Sequence, residues 1–157
     1  MQDNRISLDG TWEFLHVADD RLSGPAEVRQ ITVPSPWQAQ FSDLRMRAGI
    51  GIYRKTVEID ESWLHDSIWI RLGAVFHNTK VFINGEAVGH NEGGFLPFSF
   101  DVTSRLKPGP NEIKVRVDSP TDNPAAVIRI SRRVRSCSPV RFLKTPTACL
   151  ISPRISK

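Results

Sequence analysis

At 157 residues, 39% of them hydrophobic and 24% charged, the chain is long enough for one domain with its own core. No run approaches the ~18 consecutive apolar residues of a membrane span, and the N-terminal MQDNRISLDG has no apolar leader segment, so no membrane partner and a cytoplasmic location are expected. The net charge of +4 is unevenly spread: residues 1–122 carry 13 Lys and Arg against 17 Asp and Glu, whereas 123–157 carry eight basic residues and no acidic one.

In chain order, Thr11 to Val17 alternates, with Trp12, Phe14 and His16 on one face, and predicts a half-buried strand. Val28 to Val33 predicts a second strand, stopped by Pro34 and Pro36, which cannot donate to a ladder. Phe41 to Gly51 reads mostly as loop. Tyr53 to Ile59 predicts a strand with Tyr53, Lys55, Val57 and Ile59 on one side, Lys55 being the imperfect member. Asp60 to Leu64 reads as a short turn, and Ser67 to Leu72 as a strand setting Ile68, Ile70 and Leu72 against Trp69 and Arg71. Val81-Phe82-Ile83, Asn84-Gly85 and Glu86-Ala87-Val88 together spell a hairpin, because the Asn-Gly pair supplies the two φ > 0 positions of a type I′ turn. Gly89 to Gly94 reads as loop, and Phe95 to Phe100 as an extended segment. Asp101 to Leu106 reads as a helical turn capped by Asp101. Pro108-Gly109-Pro110 reads as a stop. Asn111 to Val117 is the clearest strand, with Ile113, Val115 and Val117 inward.

Seven or eight strands with turn residues between them, and no sustained 3.6-residue period, predict an all-β fold: a two-sheet antiparallel sandwich, of which the jelly roll is a natural form. Beyond Asn123 the strand pattern lapses, and Phe142 is the one aromatic residue of the tail. The chain therefore divides into a sandwich at 1–122 and a poorly patterned basic tail at 123–157. The tail's charge invites a nucleic-acid reading, but the lack of aromatic stacking groups argues against specific nucleic-acid binding. Cys137 and Cys149 suggest neither a disulfide framework nor a zinc site.

Four blocks carry a resemblance. They are Leu8-Asp9-Gly10-Thr11-Trp12-Glu13-Phe14, Val33-Pro34-Ser35-Pro36-Trp37, Ala48-Gly49-Ile50-Gly51-Ile52-Tyr53-Arg54-Lys55, and the stretch 81–103. In this order and spacing the chain resembles the N-terminal sugar-binding domain of glycoside hydrolase family 2, the family of β-galactosidases, β-glucuronidases and β-mannosidases. The resemblance implies a galactose-binding-domain-like jelly roll. It also implies that the full-length relative cleaves β-linked glycosides by double displacement, with both catalytic glutamates in a later TIM barrel of about 250 residues. Its implied partners are a carbohydrate or an adjacent catalytic barrel; the oligomeric state is open. Where the family continues into a proline- and aromatic-rich loop and a last strand, this tail does not, so a shifted reading frame or disorder is expected there, with one or two strands missing. A free-standing carbohydrate-binding module and a docking scaffold stay open as alternatives.

Glycoside hydrolysis needs two carboxyl groups about 5–10 Å apart, one protonated and one ionised. Asp19, Asp20, Glu58, Asp60, Glu61, Asp66, Glu86, Glu92 and Asp101 fall in turns or on exposed faces and read as solvated acids and caps. No catalytic residue is expected here. His16, His65, His77 and His90 have no metal-ligand spacing, and neither metal nor cofactor is expected. Sugar binding stacks a ring face on an aromatic and reads hydroxyls with amides or carboxylates. Trp37 and Asn78 are candidates on that basis, and the resemblance adds His77, near which the family often has a polar residue.

Overall fold

The computed structural model describes residues 6–17, 27–73, 75–94, 96–119 and 130–135. Nine strands are seen among them: β1 (Gly10–Val17), β2 (Arg29–Val33), β3 (Gly49–Ile59), β4 (Ser67–Leu72), β5 (Asn78–Ile83), β6 (Glu86–Glu92), β7 (Phe98–Asp101), β8 (Gly109–Ser119) and β9 (Ile130–Arg135). One short helix, α1 (Trp37–Gln40), follows β2. Every strand pair is antiparallel. The order is β2-β1-β3-β8-β5-β6 in a six-stranded sheet and β7-β4-β9 in a three-stranded one. The fold is an antiparallel jelly-roll β-sandwich. No helix among the described residues is long and apolar enough to cross a membrane.

Alternation builds the core. Trp12 and Phe14 of β1, Ile31 and Val33 of β2, Tyr53, Val57 and Ile59 of β3, and Ile113, Val115 and Val117 of β8 are buried on one face of the large sheet. Ile68, Ile70 and Leu72 of β4 meet them from the small sheet. Lys55 breaks the apolar run, and the structure supplies the reason. Its ammonium donates to the carbonyls of Asp9 (3.4 Å) and Thr11 (3.2 Å) and lies 5.7 Å from the Trp12 ring centroid. The stem is half-buried while the charge finds acceptors and a π face.

Six strands face three, so part of the large sheet's inner face needs another cover. The segment after β2 provides it. Trp37 packs on Phe14 (ring centroids 5.7 Å apart) and Phe41 stacks on Phe14 (5.6 Å). Gln40 closes the β2 edge: its amide oxygen accepts from Thr32 N (2.8 Å) and its nitrogen donates to Thr32 O (2.9 Å). One carboxamide thus makes the two bonds that a further strand would offer at that residue.

The hairpin at 81–88 matches the sequence pattern, with φ of 51° at Asn84 and 85° at Gly85. Four features differ from expectation. Residues 37–40 are helical, within a stretch too short to display a helical period. Gly89 to Glu92 continue β6 past an irregularity opposite Val81/Phe82, so the expected loop is confined to 93–94 and the residues after it. Gly89 is needed there because an added Cβ would stand 2.4 Å from the Phe100 ring. Gly109 and Pro110 begin β8 rather than stopping the chain before it, pairing with Ile59 and Glu58. The backbone of Ile130–Arg135 pairs with β4, where the pattern gives no strand. Ladder bonds use main-chain groups that every residue but proline carries, so a weakly patterned segment can still complete a sheet. The rest of 123–157 lies outside the described residues, as do Asp19, Asp20 and Phe95.

Candidate functional site

The sequence candidates gather at one end of the large sheet, but not on one surface. Asn78 opens β5 opposite Asp118 of β8 and Glu92 of β6, and is exposed. His77, half-buried, is fixed through its backbone: its N–H donates to Asp118 O (3.3 Å) and its carbonyl accepts from Gly93 N (3.0 Å). Its ring meets Phe76 edge-on at 5.1 Å. The close approach continues at Gly94, where a Cβ would stand 2.2 Å from the Phe76 ring. His77 and Asn78 therefore share a polar rim with Asp118 and Glu92.

Trp37 is elsewhere. Two strands away, on the inner side, it is 0% exposed, against Phe14, an edge of His16 (5.8 Å) and Gly51. A ring enclosed by protein presents no face to a sugar, so Trp37 acts as a core residue. Tyr53 is likewise enclosed, and burial pushes its phenol well above the ordinary range. Of the other aromatics, Trp69 is 37% exposed on the outer face of the small sheet. Phe82 is half-buried, with the Lys114 ammonium 4.5 Å from its centroid. Asn84 is a turn residue; its side chain joins Arg105 O (3.0 Å), Asn111 Oδ1 (2.9 Å) and Glu112 N (3.0 Å).

Several polar atoms inside have no hydrogen-bond partner: His16 Nε2, Trp37 Nε1, Gln38 Oε1, Tyr53 Oη and Thr79 Oγ1. Burial holds the His16 imidazole below its ordinary range, against a pull upward from the Ala48 backbone, and nearby Arg47 and Arg29 lower it further.

Among the described residues the carboxyl groups do not form a catalytic pair. Glu58, Asp60, Glu61, Glu86, Glu92 and Asp101 are exposed, and Asp66 is half-exposed. Three described carboxyls are displaced from their ordinary range, all downward: Asp43 by Arg29, Asp60 by the bonds from Ser62, and Asp101 by those from Thr103. A glycosidase acid must be held protonated, which requires the opposite displacement. Among the described residues no cluster of three or more His, Cys, Asp or Glu is arranged to hold a metal ion.

Residues 6–129 match the family described as glycosyl hydrolases family 2, sugar binding domain. A β-glucuronidase of Paenibacillus borealis is 32% identical over 111 residues, a match covering 65% of this chain and 19% of that protein. A β-galactosidase of Bacteroides ovatus is 40% identical over 131 residues, covering 73% of this chain and 15% of that protein. The solved structure of Bifidobacterium dentium β-glucuronidase complexed with coumarin-3-O-glucuronide superposes with a TM-score of 0.65 at 32% identity, covering 75% of this chain and 21% of that one. The chain thus spans about a fifth of the length of the relatives it matches.

Proposed function

The chain belongs to family 2 of the glycosyl hydrolases, as their sugar-binding domain, and we propose that it serves a β-glycoside hydrolase as the non-catalytic sandwich beside the catalytic barrel. The substrate class is a β-linked glucuronide or galactoside, following the relatives' activities. The described carboxyl groups carry this reading: they are dispersed and at least partly solvated, and where displaced they are held ionised. Such groups cannot protonate a glycosidic oxygen. The rim of His77, Asn78, Glu92 and Asp118 is the part of the domain suited to frame a sugar entrance, since it offers an imidazole, an amide and two carboxylates to hydroxyl groups.

The test is direct. Purified on its own, the chain should release no nitrophenol from aryl β-glucuronide, β-galactoside or β-mannoside. Turnover above that of a protein-free control would refute the proposal.

A further inference from the structure

The outer face of the large sheet carries an arrangement that the family reading does not use. Strand register aligns one residue from each of six strands: Gln30, Glu13, Arg54, Lys114, Phe82 and Ala87. In the next row, Arg116 stands opposite Lys80, and Lys80 opposite His90. Arg54 faces Lys114 directly. Like charges opposite one another in an antiparallel pair destabilise the ladder. Residues 1–122 are net acidic, yet four of their cations meet here. Arg54 and Lys80 enter no ion pair among the described residues. Glu13 is the cross-strand neighbour of Arg54 and still forms none with it.

Beside this cluster lies an open groove of about 290 Å³, with Thr11, Glu13, Gln30, Arg54, Thr56 and Glu112 along it. Two hydroxyls, an amide and two carboxylates are the groups that read sugar hydroxyls, since together they donate and accept in several directions. Arg54 belongs to both features. Its planar fork suits a carboxylate.

We propose that this face is a second carbohydrate site, a track for a carboxylate-bearing glycan such as a polyuronate. One sugar's hydroxyls occupy the groove, its carboxylate meets Arg54, and following carboxylates meet Lys114 and Lys80 in neighbouring strands. Strands about 4.8 Å apart set cations at roughly the repeat of a sugar chain laid across the sheet. A protein partner fits less well, because the row's aromatic residue, Phe82, lies under Lys114, and the exposed apolar residue nearby, Val28, lies on the far side of Arg54 with Leu15 and Ile52, away from the other cations. Glu13 and Glu112 repel phosphates and carboxylates alike, so it is the hydroxyl-reading groups of the groove, not its charge, that favour a sugar over a nucleic acid, and DNA is therefore an arm of the test. This site stands or falls without the hydrolytic reading above.

Calorimetric titration of the full chain at low salt tests it, with an oligogalacturonate, a neutral oligogalactan of matched length and a DNA oligonucleotide. The oligogalacturonate should bind saturably and weaken as salt rises. Arg54→Gln should weaken it about tenfold, the loss of one charge-assisted bond, without lowering the melting temperature. Lys80→Gln is the second variant and decides the matter if the first does not fold. The basic tail is intact in both, so binding that survives both substitutions belongs to the tail and overturns the proposal. Absence of saturable binding, equal binding of the neutral oligomer, or tighter binding of DNA overturns it as well.

Discussion

Gly51→Ala isolates the packing of α1 on the large sheet. A Cβ built on Gly51 would stand 2.6 Å from Trp37 Cζ3, 2.9 Å from Cε3 and 3.0 Å from Phe14 Cε2. Both rings are buried and hold each other at 5.7 Å, so neither can swing aside freely. Overpacking of this kind costs about 1–3 kcal/mol. Gly51 does not need a positive φ, so alanine fits the backbone and recovers about 0.4–1 kcal/mol by narrowing the unfolded ensemble. The net loss should be between about 0 and about 2.6 kcal/mol, centred on about 1.3 kcal/mol, which is a fall of roughly 3–5 °C in melting temperature for a chain of this size. Urea unfolding followed by tryptophan fluorescence measures it. Trp37→Phe removes the two indole atoms in the way and should by itself destabilise, through the space it leaves. The double variant should then be more stable than the sum of the single losses predicts, by about 1 kcal/mol. A Gly51→Ala protein more stable than its parent, or strict additivity in the cycle, would refute the packing argument.

Two further outcomes follow from buried polar groups. Asn111 is fully buried and makes four bonds: Nδ2 to Lys107 O (2.7 Å) and Gly109 O (2.9 Å), and Oδ1 from Lys107 N (3.0 Å) and Asn84 Nδ2 (2.9 Å). Asn111→Ala should cost about 3 kcal/mol in a urea titration, and a loss under about 1 kcal/mol would mean the backbone holds that turn unaided. His16 gives a pH dependence whose sign is fixed by its lowered pKa. The unfolded chain takes up that proton first on acidification, so the contribution is intact above the ordinary value of 6.5 and is lost as the pH falls from there through the lowered folded-state value. Thermal melts should fall between about pH 7 and about pH 5, and His16→Gln should flatten that slope. An identical slope in the variant would assign the dependence to other groups.

Much of the sandwich is legible in the sequence because a strand's faces follow from a period of two. Ile113, Val115 and Val117 declare β8 and its inward side, and Asn84-Gly85 declares the hairpin. The misses have physical causes. Four residues from Trp37 to Gln40 cannot show a helical period. Gly89, His90, Asn91 and Glu92 have a loop's composition, and their strand comes from the ladder to Asn78–Val81 of β5, with Gly89 leaving room for the Phe100 ring. Trp37 lay beside a proline-bounded loop and suggested a surface platform, whereas its burial depends on Phe14, His16 and Gly51, strangers to it in sequence. The outward cations were visible one strand at a time. That Arg54 stands between Glu13 and Lys114 is a matter of register, which no single segment encodes.

The longest ladder has a consequence for how the molecule comes together in time. β3 and β8 pair along eleven positions, but Ile59 meets Gly109 across fifty residues and Gly49 meets Ser119 across seventy. Closing such loops is entropically expensive, and chains dominated by distant pairings fold in milliseconds to seconds. The turn at Asn84-Gly85 joins neighbours and can close in roughly 1–10 μs. The centre of the large sheet is thus assembled after its β5–β6 margin, and β1 joins β3 by another distant pairing, from Glu13 with Arg54 to Val17 with Ile50.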